Sequence, residues 1–181
     1  MLELYESHGV SPEMMEEKGF EVPEDFYMKL GEDEETVHTA EEEFDLEDLE
    51  DTEKLYYRDQ KYRKCNAEIE AIKDNWIILD RTVFYPEGGG QEPDKGQIEY
   101  DDHRYDVVDV QKQDGVVLHK VPNHEFETGK TVQAEIKWSR RKQLMQHHST
   151  THMVNGATRE ILGNHIYQAG AHKTVEKARL D

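Results

Sequence analysis

The sequence predicts an α+β fold: a small antiparallel β-barrel followed by one long helix, with short helices at the N-terminus. Two observations carry this. Between residues 54 and 138 the chain is a series of short β-rich runs separated by turn residues, the pattern of a small barrel. At Ser139 the apolar spacing changes to a helical one and holds to Leu162.

Residues 1–31 read as two short helices. Ser11-Pro12 is an N-cap followed by proline at the first helical position, and Gly19 ends that helix. Pro23 opens the second and Gly31 closes it. The apolar residues here, Met14, Met15, Phe20 and Phe26 among them, suit docking on something larger, because a segment this short cannot build its own core.

Residues 32–53 form an acidic linker. Glu32 to Glu53 holds 13 acidic residues and no Lys or Arg. The whole chain of 181 residues carries a net charge of −19, and removing this segment leaves 28 acidic against 22 basic residues, a net of −6. Such a run is expected to be solvated and loosely packed, with Phe44, Leu46 and Leu49 as one weak helical face. Its charge excludes contact with nucleic-acid phosphates at this point. Hydrophobic and charged residues each make up 35% of the chain, which is lean for one globule, so part of it is expected to lie outside any core.

Residues 54–138 contain the runs WIILDRTVF, GQIEY, RYDVVDVQ, GVVLHKV and TVQAEIKW. Lys73-Asp74-Asn75, Asp101-Asp102 and Asp114-Gly115 break them. Some runs alternate, as Val108-Asp109-Val110 does, whereas Val116-Val117-Leu118 is apolar throughout. Cys65 is the only cysteine, so no intrachain disulfide forms and a reducing compartment is compatible. With no apolar stretch near 18 residues and no apolar leader, the expectation is a soluble cytoplasmic protein with no membrane contact.

Residues 139–181 begin with the helix. Ser139 is a suitable N-cap, and Gly163 and Asn164 suit the positions past its end. On a helical wheel Thr150, Val154, Ala157 and Ile161 form a narrow apolar stripe. His148 and His152 fall on the roughly opposite side, beside Leu144 and Met145 and near Asn155. Four residues apart, both imidazoles reach one point, which is half of a tetrahedral zinc site. By spacing alone so short a motif more often marks two helix histidines without a metal. Residue 149 is Ser, so the general base of an HExxH metalloprotease is missing. A strand is expected over 165–170, then a polar end at Ala178-Arg179-Leu180-Asp181 that reads as an interrupted domain.

The second conspicuous stretch is Phe84-Tyr85-Pro86-Glu87-Gly88-Gly89-Gly90-Gln91. Consecutive glycines permit positive φ and close approach of the backbone to another group. No Gly-Lys-Ser/Thr follows, so this is not a P-loop.

Arg81-Thr82-Val83-Phe84-Tyr85-Pro86-Glu87-Gly88-Gly89-Gly90-Gln91, then His148-Ser149-Thr150-Thr151-His152, then Gln168-Ala169-Gly170, occur in that order. Together they resemble the editing domain of the alanyl-tRNA synthetase family, including the freestanding AlaX proteins, over roughly residues 52–181. Leu4-Tyr5-Glu6-Ser7-His8-Gly9 is similar to the passage where the synthetase's tRNA-recognition region approaches that domain, and it favours the full synthetase over AlaX, while the acidic, compact style is similar to the archaeal branch. The resemblance implies the helical end of the tRNA-recognition region at 1–31, the barrel subdomain of the editing region at 54–138, and an incomplete HxxxH editing subdomain at 139–181. It implies hydrolysis of serine or glycine wrongly esterified to tRNA(Ala), with tRNA(Ala) as partner and no role for DNA. It implies a zinc held by His148 and His152 together with a later Cys-x-x-x-His, which this sequence lacks. The ATP- and magnesium-dependent aminoacylation site of the family is absent as well. A freestanding deacylase and a non-catalytic tRNA-binding module are the alternatives.

Such a second site answers a physical need, because a pocket for alanine discriminates against one small group by only about 1–3 kcal/mol. Thr82 is the candidate for contacting a serine hydroxyl. Gln91 and Gln168 are candidates for the reaction centre, and Gly88, Gly89 and Gly90 for approach to the terminal adenosine. Arg140 and Arg141 sit at the unfavourable end of the helix dipole, which points to a partner such as a tRNA phosphate. His165 and His172 are expected on loops or the surface.

Overall fold

In the computed structural model the described residues are 15, 18–23, 44–46, 49–163, 168 and 170–181. Most of the expected N-terminal helices and of the acidic linker lies outside them. Within them the chain runs β1 (Glu53–Lys54), α1 (Leu55–Arg58), β2 (Lys64–Lys73), β3 (Trp76–Leu79), β4 (Arg81–Thr82), β5 (Gly96–Tyr100), β6 (His103–Val107), β7 (Asp109–Gln113), β8 (Val116–Lys120), β9 (Thr131–Ile136), α2 (Trp138–Leu162), β10 (Ala171–Lys173) and β11 (Ala178–Leu180). Two compact units divide the chain. One comprises 37–88 and 92–142; the other comprises 1–36, 89–91 and 143–181.

The first unit is built on a seven-stranded sheet in the order β6-β5-β9-β2-β3-β8-β7, with every neighbouring pair antiparallel. Three hairpins have two-residue turns at 74–75, 101–102 and 114–115. Asp74, Asp101, Asp102 and Asp114 have φ of 53°, 48°, 63° and 48°, the conformation that tight hairpin turns demand and that Asp tolerates. Strand β2 serves two halves of the sheet. Residues 64–68 pair with β9 and residues 69–73 run along β3, with a register shift between Ile69 and Ala71. An irregularity of this kind bends a strand and lets it turn a corner.

The closed barrel expected from the sequence does not form. The two edge strands, β6 and β7, follow each other in the chain with only Val108 between them, so the edges meet there. No ladder joins them, because Val108 N–H is already given to Lys120 O at 2.9 Å. The result is a rolled, open sheet. Its interior is filled by Ala67, Ile69, Ile77, Leu79, Val83, Phe84, Ile98, Val117 and Val132, with their neighbours.

The continuously apolar runs in β3 and β8 have a separate cause. Trp76, Ile78, Val116 and Leu118 face away from that interior and are covered by Leu46, with Phe44 and Leu49 packed beside it. The end of the acidic segment is therefore not a loose linker. Leu46 is 7% exposed, Gln113 Nε2 donates to Phe44 O at 2.7 Å, and Phe44 N–H donates to Gln113 Oε1 at 3.2 Å. Thr52 Oγ1 accepts Val117 N–H at 3.0 Å. Burying a leucine is worth about 1.5–3 kcal/mol, enough to lay a charged segment on a sheet.

Helix α2 is continuous and starts one residue before Ser139, with Lys137 O accepting from Arg140 N–H at 2.9 Å. Gly163, φ 107°, ends it as the sequence suggests. Its buried positions are Arg141, Leu144, Thr151 and Asn155, whereas Val154 and Ile161 on the apolar stripe are 49% and 79% exposed. In the second unit β10 pairs antiparallel with β11. The strand expected over 165–170 starts at Ala171; residues 164–167 and 169 lie outside the described ones.

Candidate active site

The central pair is His148 and His152. Successive turns of α2 stack the rings 4.7 Å apart and bring their Nε2 atoms to 3.0 Å. Burial pushes His148 down to about 3, helped by the positive charge of Lys173 and by His152. Burial and Lys173 lower His152 in the same direction. Both imidazoles are therefore neutral at pH 7, which is the metal-binding form. Bonds of about 2.0–2.1 Å to one tetrahedral zinc place two nitrogens roughly 3.3 Å apart. The observed separation fits two positions of such a shell. Among the described residues no third His, Cys, Asp or Glu joins them. The neighbouring His147 is committed elsewhere: Gln143 Nε2 lies 2.8 Å from its Nε2, and its Nδ1 lies 2.8 Å from Thr174 O.

Lys173, on β10, is the residue that sequence reasoning missed. It is 3% exposed, and its ammonium donates to Gly89 O at 2.7 Å. Its backbone N–H donates to Gly90 O at 2.6 Å, and Gln91 bridges Lys173 in parallel register. A Cβ on Gly90, φ 70°, would stand 1.8 Å from Ala171 O. The close approach that these glycines permit is thus used by the chain's own strand. It brings the Gly89–Gln91 segment and the histidines under one cation. No local pattern marks Lys173, because its partner lies 84 positions away.

Thr82 is fully buried. Its Oγ1 lies 2.7 Å from His119 Nε2 and accepts Phe84 N–H at 3.0 Å. His119 Nδ1, 3.1 Å from Ile77 O, must donate there, so Nε2 accepts the threonine proton. The hydroxyl proposed for serine recognition is engaged on both sides within the sheet unit.

Arg140 and Arg141 clamp the segment that follows the glycine run. Arg141, 3% exposed, donates from Nε to Asp94 Oδ2 at 2.8 Å and to Oδ1 at 3.1 Å, and from Nη2 to the same carboxylate and to Val83 O. Asp94 also accepts Tyr85 N–H at 2.9 Å. Arg140 donates to Glu92 Oε2 at 2.8 Å and to Pro93 O at 3.0 Å. Their partners are carboxylates and carbonyls of this chain. These acids also offset the cost of cations at a helix N-terminus.

Gln91 is buried, Gln168 and Gly88 are half-buried, His172 is exposed, and His165 lies outside the described residues. Burial raises Cys65 to about 11, so it is a thiol at pH 7. No described helix is long and apolar enough to cross a membrane.

The chain belongs to a known class of protein. The model of the family "tRNA synthetases class II (A)" matches residues 1–140, and the chain belongs to that family. Along its entire length it is similar to alanine–tRNA ligases. It is 41% identical over 198 residues to the enzyme of Methanopyrus kandleri, of which it covers 22%. Identity is 39% over 201 residues to that of Saccharolobus islandicus, covering 22%, and 40% over 195 residues to that of Halorubrum lacusprofundi, covering 21%. The chain thus spans about a fifth of the length of the curated relatives it matches.

Proposed function

We propose that the chain is part of an alanine–tRNA ligase and belongs to the region that hydrolyses serine or glycine wrongly esterified to tRNA(Ala), in the cytoplasm. The observation that carries this reading is the neutral His148/His152 pair, Nε2 to Nε2 at 3.0 Å, in a chain that also holds the RTVFYPEGGGQ run. The match to ligases across residues 1–181 favours the ligase over a freestanding AlaX deacylase.

In this reading His148 and His152 hold two positions of a zinc through Nε2. A zinc so bound supplies Lewis acidity and orients the ester. Burial, aided by the charge of Lys173, keeps both imidazoles unprotonated, and Lys173 fixes the Gly89–Gln91 segment by its bond to Gly89 O. Gln91 and Gln168 are proposed to position the ester and water. Thr82 has a positioning role, fixing Phe84 at the start of the FYPEGGG run through its hydroxyl.

The test is deacylation of Ser-tRNA(Ala) and Gly-tRNA(Ala) by three proteins: the 181-residue chain, the full-length ligase, and the full-length ligase with His152→Ala. The ligase is expected to be active and the His152→Ala form at least about 100-fold slower, the scale of a site misplaced by 1 Å. The 181-residue chain, with two ligands instead of four, is expected to be slower still. An unaffected His152→Ala enzyme would remove the histidine pair from the reaction.

A further inference from the structure

Asn155 lies seven residues after His148 and three after His152. At 100° per residue, seven positions return to within about 20° of the start, so Asn155 occupies the histidine face of α2, two turns beyond His148. It is 2% exposed, and its Nδ2 makes no hydrogen bond among the described residues. Its helical neighbours behave differently. Thr151 gives its hydroxyl proton to His148 O at 2.7 Å, and Thr158 gives its own to Val154 O at 2.7 Å. Leaving a buried amide donor unmatched is costly, and native proteins rarely do it without a use for the group.

We propose that the Asn155 amide is a substrate-binding donor, and that its acceptor is the carbonyl oxygen of the aminoacyl group held beside the histidine pair. This rests on the hydrolytic reading of the same site. The chemistry favours a neutral acyl oxygen. An amide NH₂ offers directional donors without charge, which suits a carbonyl better than a phosphate. The donor also lies on the helix face that presents the two neutral imidazoles. Asn155 thereby fixes the orientation of the acyl group and takes no part in proton transfer.

A group kept for a ligand leaves a signature that a structural group does not. Removing it should stabilise the unliganded chain and weaken binding together. The probe is 3′-deoxy-3′-(L-serylamino)adenosine, whose amide replaces the scissile ester, added at millimolar concentration to the ¹⁵N-labelled 181-residue chain, with adenosine alone as the second arm. The acyl compound should shift the Asn155 side-chain NH₂ pair, identified by its loss in Asn155→Leu, and adenosine alone should not. Asn155→Leu should raise the thermal midpoint by about 2–4 °C, the shift expected for a 1 kcal/mol penalty removed. It should bind the acyl compound about 10-fold more weakly. Binding that leaves the Asn155 signal in place and is equal in Asn155→Leu overturns the proposal alone, and so does an equal shift with adenosine. A lowered midpoint in Asn155→Leu likewise overturns it. Absence of any binding by the wild-type chain overturns this proposal, whereas the hydrolytic reading stands or falls on deacylation by the full-length ligase.

Discussion

The Thr82 hydroxyl donates to His119 Nε2 across 2.7 Å, and neither side chain is accessible to solvent. Because Ile77 O takes the Nδ1 proton, the ring is held as one neutral tautomer between strands β3, β4 and β8. The pair ties the strand bearing Thr82 to the centre of the sheet.

A pH dependence of stability follows. Burial lowers His119 from 6.5 to about 4, and His148 to about 3. The unfolded chain takes up these protons near pH 6.5, whereas the folded chain resists them. Their stabilising contribution is complete above pH 6.5 and is lost as pH falls through about 4 for His119 and about 3 for His148. The slope reaches about 1.4 kcal/mol per pH unit for each histidine so held. Urea unfolding between pH 4 and 8 should show it, and His119→Phe with Thr82→Val should flatten part of the curve. A profile unchanged in that double variant would contradict the assignment to His119.

Asp94→Ala strands the Arg141 guanidinium in the interior and should cost about 3–5 kcal/mol. Arg141→Met should cost less than Asp94→Ala, because it removes the cation instead of orphaning it, although Val83 O then loses its donor. Chemical denaturation of the two variants gives the order directly. The reverse order would mean that Arg141 acts through a partner other than Asp94.

Gly90→Ala must move β10, since the added carbon would overlap Ala171 O. We expect a loss on the order of 2–4 kcal/mol, with faster amide exchange at Lys173. Gly129→Ala is the control: its φ is 79° but nothing lies within 4 Å, so only backbone strain of about 1–2 kcal/mol is expected. Equal losses at the two positions would show that the seat of β10 is not what constrains residue 90.

Zinc should bind the 181-residue chain weakly, because two protein ligands leave the rest of a four-coordinate shell to water. Equilibrium dialysis against zinc, then against a chelator, should leave no metal, and His148→Ala should abolish the weak binding. Stoichiometric zinc that survives the chelator would mean that further ligands join the pair.

The acidic segment shows where sequence reading stopped. Its charge was plain, but Phe44, Leu46 and Leu49 acquire meaning only from Trp76, Ile78, Val116 and Leu118, which the sheet order brings under them. The unbroken apolar runs in β3 and β8 were the visible signal, since a strand buried on both faces loses its alternation. The intrachain partners of Arg140 and Arg141 were out of sight for a related reason. Two adjacent cations suggest an external anion until the fold delivers Glu92 and Asp94 from 48 and 47 positions away.

By itself the sequence determined what depends on neighbours along the chain. The turns at 74–75, 101–102 and 114–115, the end of α2 at Gly163 and the pairing of His148 with His152 follow from backbone preferences and from helical repeat, both of which act over a few residues. Only the tertiary structure decided which face of α2 is buried, that Thr82 meets His119 37 positions away, and that Lys173 meets Gly89 84 positions away. Those partners are chosen by strand order and by the burial of charge, which act between segments that no local pattern connects.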